Sequence, residues 1–181
     1  MTQQTIYQSS LIASDSIGRS DSNLFKHVPA GTGPAYCGPG DRITFLITGA
    51  ETGGAFFMAE VTVAPGGGPP PHVHSREDES FYLQQGTLAV QVGDKALNVS
   101  TGDFVHMPRG IFHSFKNVGE ETAKLLMVVT PAGLENYFAE VFFPVADIAG
   151  ISQIGQAVID RALKTAPKYG LELLPPAQAG G

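Results

Sequence analysis

Between residues 41 and 130 the chain is cut into short runs by glycine, proline and other turn formers, and this punctuation constrains the fold more than any other feature. Residues 42–47, 55–63, 81–83, 88–92, 97–99, 104–107, 113–116 and 125–129 each read as a strand. In 55–63, Glu60 and Thr62 fall on one face and Ala59, Val61 and Val63 on the other. The unbroken apolar run 125–129 reads as a strand buried on both faces. Gly93-Asp94 reads as a tight hairpin turn. Composition agrees: 22 glycines and 13 prolines in 181 residues, with 15% charged residues against a usual ~25%, favour many short strands over long helices. The expectation is an all-β fold, an antiparallel sandwich or barrel.

The flanks differ. Residues 1–40 read as an N-terminal arm, with a strand near Ile6, and residues 41–131 as the core. Residues 132–174 read as a C-terminal helical extension and 175–181 as a disordered tail, giving one domain in all. Leu134, Tyr137, Phe138, Val141 and Phe142 follow the spacing of an amphipathic helix, with Thr130-Pro131 at its start and Pro144 as its stop. This stripe packs on the core or a subunit partner, or closes over a pocket. A second helix is expected over 152–166, with Ile154, Val158 and Ala162 on one side and Pro167 ending it.

The net charge of −6, without clustered Lys or Arg, argues against nucleic acid and anionic membrane surfaces as partners. No apolar run approaches the roughly 18 residues of a membrane span. The opening MTQQTIYQSS has no basic stretch ahead of an apolar one, so a cytoplasmic location is expected. The lone Cys37 excludes an internal disulfide and reads as a plain residue.

The chemistry concentrates after Gly66-Gly67-Gly68-Pro69-Pro70-Pro71. His72 and His74 alternate on a strand, with Cα atoms roughly 6.5–7 Å apart on one face. Two imidazoles so placed can reach one ion at about 2.0–2.1 Å. Ser75 to Asp78 reads as a solvated turn, after which a reversing strand returns Glu79 beside the histidines; Arg76 is within reach of a substrate anion there. Later, Pro108 and Gly110 suit a tight turn, and His113 on the returning strand offers a third imidazole. His106 reads as structural or surface-facing and His27 as exposed.

The full spacing is Gly66, five residues, His72, one, His74, four, Glu79, six, Gly86; then Gly102, five, Pro108, one, Gly110, two, His113, three, Asn117. These two patterns resemble the paired cupin motifs at every position, and the fifteen residues between them match the short spacing of small bacterial single-domain cupins. The resemblance implies a jelly-roll barrel with a metal inside, held by His72, His74, Glu79 and His113. Thr130 to Phe138 and Tyr169 to Glu172 further resemble single-domain cupins similar to quercetin (flavonol) 2,4-dioxygenases.

Such a donor set suits one divalent transition metal, among iron, nickel, manganese, cobalt, copper and zinc. Four protein ligands on an octahedral ion leave two positions open for a small-molecule substrate and O2. A +2 ion with Glu79 leaves about +1 on the site, which favours an enolate or phenolate oxygen. Glu79 is then the base that takes the substrate proton, the role its equivalent has in flavonol dioxygenases. Alternation puts Phe81 and Leu83 on the Glu79 face and Phe115 on the His113 face, candidates for an apolar substrate pocket. The expected function is a metal-dependent dioxygenase acting as a homodimer. The alternatives are a non-catalytic binding cupin, or a metal-dependent isomerase, decarboxylase or oxidase.

Overall fold

A computed structural model describes residues 25–38, 40–144 and 156–174 of the chain. The strand expected near Ile6, the beginning of the second helix and the tail lie outside these residues.

The chain runs through β1 (Ala35–Cys37), β2 (Asp41–Ile47), the single-turn helix α1 (Gly49–Thr52), β3 (Phe57–Val63), β4 (His72–His74), β5 (Asp78–Gln85) and β6 (Thr87–Val92). It continues through β7 (Lys95–Ser100), β8 (Phe104–Met107), β9 (His113–Asn117), β10 (Ala123–Thr130), α2 (Leu134–Val141), β11 (Phe143–Pro144), α3 (Gln156–Thr165) and β12 (Leu171–Leu173). The strands form two antiparallel sheets, β11-β1-β2-β3-β10-β5-β8 and β12-β4-β9-β6-β7. This is the antiparallel all-β sandwich expected from the strand pattern, and the jelly roll that the motif resemblance implies.

Alternation sets the core. Along β3, Phe57, Ala59, Val61 and Val63 are buried while the residues between them are half-exposed. In β10 only Ala123, Leu125, Met127 and Val129 are buried, and Leu126 and Val128 are half-exposed. The apolar run is therefore buried on one face, not two: an antiparallel sheet at the outside of a sandwich has a single core face. The two inner faces meet where the Phe81 ring from one sheet lies edge-on to Phe115 from the other, centroids 5.8 Å apart. Each such aromatic, fully buried, contributes on the order of 1.5–3 kcal/mol. Gly93-Asp94 joins β6 to β7 with Val92 paired to Lys95, and Gly93 takes φ 55°, the positive φ that a two-residue turn favours at this position.

The flanks are less separate than their sequence suggests. Ala35–Cys37, within the expected arm, pairs with β2. Helix α2 begins at Leu134 with Gly133 as its N-cap, not at Thr130-Pro131. The Glu135 carboxylate fixes that start by accepting the N–H groups of Gly133 and Gly49, each at 2.8 Å. The helix ends at Val141, and Phe143–Pro144 leaves it to pair with β1. After α3, a 3₁₀ turn over Ala166–Tyr169 contains Pro167, and Gly170 at φ 74° redirects the chain into β12. Strand β12 pairs with β4, Leu171 opposite His74 and Leu173 opposite His72. Among the described residues no helix is long and apolar enough to cross a membrane.

Candidate metal centre

Strand β4 is three residues long, so its alternation turns His72 and His74 inward and leaves Val73 between them half-exposed. The approach to it depends on Gly68. At φ 131°, a Cβ on this residue would lie 2.1 Å from the Phe115 carbonyl oxygen, so only glycine permits the contact. The neighbouring strand β9 sets His113 directly opposite His72. From Ser75 the chain does not reverse alongside β4; it crosses to the other sheet, where β5 points Glu79 back at the histidines. The site thus bridges the sandwich, with three imidazoles on one sheet and the carboxylate on the other.

Backbone bonds lock the two sequence motifs together. The Gly66 N–H donates to Asn117 O and the Asn117 N–H to Gly67 O, both at 2.9 Å, while the Gly110 N–H donates to His74 O at 2.7 Å. The Asn117 side chain, 1% exposed, donates to Val63 O (2.9 Å) and Glu121 O (2.8 Å) and accepts from the Gly119 N–H (2.9 Å). Arg109 grips Asp78 through Nε and Nη2, at 3.0 and 2.8 Å, pinning the Pro108–Arg109–Gly110 turn to the start of β5. That grip holds the Asp78 carboxyl well below the usual carboxylate range.

Ring orientation is set from behind. His72 Nδ1–H donates to Pro70 O at 2.9 Å and His113 Nδ1–H to Ile111 O at 3.0 Å, leaving the Nε2 lone pairs to face inward. His74 Nδ1 faces Glu77 Oε2 at 3.6 Å, and its Nε2 lies 3.2 Å from Glu79 Oε2. His113 Nε2 is 3.8 Å from the same carboxylate oxygen. One ligand atom from each of His72, His74, Glu79 and His113 falls within 4.8 Å of the others, and all four residues are buried. His74 Nε2 and His113 Nε2 are enclosed without a hydrogen-bond partner. Buried imidazole nitrogens without partners are costly, and their convergence on a carboxylate oxygen fits a divalent transition metal.

Burial, with the neighbouring His113, drives His72 down to about 4, so it is neutral near pH 7. Burial also opposes a charged His74, but the Glu77 and Glu79 carboxylates outweigh it and raise His74 to about 9. Burial works against the Glu79 carboxylate, yet His113 and His74 overcome it and hold Glu79 well below its usual range. The metal-free site therefore carries a His74–Glu79 ion pair, which a metal must replace by displacing the His74 proton.

His72, His74 and Glu79 lie on the wall of a cavity of about 820 Å³. Its remaining wall is largely apolar, including Ile43, Val61 and Met127 from the sheets, Tyr137 and Phe138 from α2, and Leu163 from α3. Of the three residues expected to line a pocket, Phe115 does. Phe81 and Leu83 are fully buried in the core instead, with the Phe81 ring packed edge-on to Phe115. The α2 stripe packs on the core within one chain: Phe138 meets Phe57 and, with Tyr137, lines the cavity.

His106 is exposed, with Nδ1 2.8 Å from Ser80 Oγ, and His27 is exposed as well, so neither joins the cluster. Arg76 is exposed and outside the cavity lining. Cys37 is buried and free. Glu77, expected in a solvated turn, is 4% exposed and faces His74, because the crossing between sheets folds its side chain inward. Asp41 and the β12 leucines, which also border the cavity, carried no signal in the sequence.

A family model for the cupin domain matches residues 59–129, which span β3 to β10 and contain all four donors. Residues 59–129 form a cupin domain. The chain is 31% identical over 102 residues to quercetin 2,3-dioxygenase of Aspergillus japonicus, covering 52% of this chain and 29% of that protein. It is 30% identical over 132 residues to an oxalate oxidase of Triticum aestivum, covering 68% and 57%. The matches thus span less than two thirds of these relatives' own lengths. Among solved structures, KdgF from Halomonas sp. superposes with a TM-score of 0.53 at 18% identity, over 60% of this chain and 94% of that one. That likeness concerns the cupin fold.

Proposed function

We propose that this cupin is a metal-dependent dioxygenase acting on a small molecule with an acidic enol or phenol hydroxyl. The observation that carries the reading is the position of the His72, His74, Glu79 and His113 cluster at a large, mainly apolar cavity. The likeness to quercetin 2,3-dioxygenase supports it. The three imidazoles and Glu79 would hold the ion, which when bound supplies a Lewis-acid site for the substrate oxygen and a place for O2 beside it. Glu79 takes the proton of the enol hydroxyl at its carboxylate, which is already ionised in the resting site. Phe115, Met127, Tyr137 and Phe138 keep water from the reacting end and hold a flat apolar ring system against the site. A cavity this large and apolar favours such a ring over oxalate, which is small and doubly charged, despite the likeness to an oxalate oxidase.

The test is oxygen uptake by metal-loaded protein with flavonols and other enols, using labelled O2. Both oxygen atoms are expected in the product, and Glu79→Gln is expected to abolish turnover while metal stays bound. Full turnover in Glu79→Gln refutes the base assignment. No uptake with any enol at full metal loading refutes the reaction, and tight binding without uptake would make the protein a binding module.

A further inference from the structure

The cavity contains a second carboxyl that the reaction above does not use. Asp41, the first residue of β2, lines the same cavity as His72, His74 and Glu79. Its Oδ1 is enclosed and has no hydrogen-bond partner, and the ion pairs of the described residues do not include it. The carboxyl is held closely. A Cβ on Gly38 would stand 2.7 Å from Asp41 Oδ1 and 2.7 Å from the Phe142 ring, so the glycine leaves the group its space. The Gly38 N–H also donates to Asp41 O at 3.1 Å, closing the loop around it.

An enclosed carboxyl oxygen without a partner is an expensive thing for a fold to keep. A purely structural group would be expected to find a donor, and the adjacent Arg42 does not supply one: its Nε is also enclosed without a partner. Asp41 also stands on the wall of a largely apolar cavity, where the few polar groups are the ones that orient a ligand.

We propose that Asp41 is a specificity-determining residue that hydrogen-bonds a hydroxyl of the bound substrate other than the one Glu79 deprotonates. The assignment rests on the enol-substrate reading for the identity of the other end of the ligand. A hydroxyl is the fitting partner because a carboxyl can accept from it when ionised and donate to it when protonated. Burial, with the charge on Glu79, pushes the Asp41 carboxyl up to about 7, so both forms are accessible near neutral pH. The substrate class narrows accordingly to a flat, largely apolar molecule with an enol at one position and a second hydroxyl elsewhere.

The experiment compares metal-loaded wild type, Asp41→Asn and Asp41→Leu without oxygen. Two probes are titrated by absorbance: quercetin, and 3-hydroxyflavone, which keeps the enol but lacks the ring hydroxyls. Wild type is expected to prefer quercetin by about tenfold, the worth of one buried hydrogen bond. Asp41→Leu is expected to lose that preference while holding 3-hydroxyflavone as wild type does, and Asp41→Asn to keep part of it. A preference unchanged in Asp41→Leu, or equal loss for both probes, overturns the proposal. Melting of the ligand-free variants supplies an independent arm. A carboxyl whose Oδ1 has no partner predicts an unchanged or raised Tm in Asp41→Asn, whereas a fall of more than about 5 °C shows that the fold itself uses the group and overturns the proposal. If wild type binds neither flavonol, the enol reading fails, and the melting result decides Asp41 alone.

Discussion

Replacing Asn117 by alanine removes three hydrogen bonds at the point where the two halves of the metal site are tied together. The amide donates to Val63 O and Glu121 O and accepts from the Gly119 N–H, at 2.8–2.9 Å, in a position 1% exposed. At a net contribution of about 1 kcal/mol each, their loss costs about 3 kcal/mol. For a chain of this size that is a fall in Tm of about 6–12 °C. The backbone bonds of residue 117 to Gly66 and Gly67 survive the change, and Asn117 offers no ligand to the site. Metal stoichiometry at low temperature is therefore expected to stay at the wild-type value. Asn117→Asp should be at least as damaging, since it sets a second oxygen against the Val63 and Glu121 carbonyls. The assay is denaturant unfolding with linear extrapolation, backed by calorimetry. A loss below about 1 kcal/mol for Asn117→Ala would refute the reasoning, as would full stability with lost metal.

Two further predictions concern the site directly. Glu77→Gln keeps the shape behind His74 but removes the charge facing its Nδ1 across 3.6 Å, and is expected to weaken metal binding about 10–100-fold in a competition titration; unchanged affinity would make Glu77 a bystander. Metal binding at pH 7 should release about one proton, because His74, raised to about 9, holds one in the metal-free protein while His72, lowered to about 4, does not. Log affinity should then rise by about one per pH unit between roughly pH 6 and 8 and level off above about pH 9; a flat profile over that range contradicts the His74–Glu79 pair. The sign for stability is opposite. With a folded value above the ordinary 6.5, His74 stabilises the metal-free protein fully below pH 6.5, and that increment is lost as the pH rises through about 9.

The three histidines were legible because their geometry is local, whereas Glu79, which reaches them from the other sheet, was legible through the motif resemblance. Two histidines alternate on one strand, and a third follows a Pro-Gly turn, so spacing alone places them on inward faces. Glu77 was not legible, since its direction depends on the crossing from one sheet to the other and not on any periodicity. Asp41 was hidden for a similar reason: it is set beside Gly38 and Phe142, both distant from the histidines in sequence. Strand β12 reads as a short apolar stretch after a helix, and only the free edge of β4 gives it a partner. The pocket lining was half legible, because alternation says which side chains point inward but not how deep into the sandwich the open space reaches.

The most direct test of the central claim is elemental analysis of wild-type protein after reconstitution with divalent metals, beside a His72→Ala, His113→Ala double variant. The account predicts about one metal per chain in the wild type and near none in the double variant, with the fold retained by circular dichroism. No metal in the wild type, or equal metal in both proteins, would contradict it.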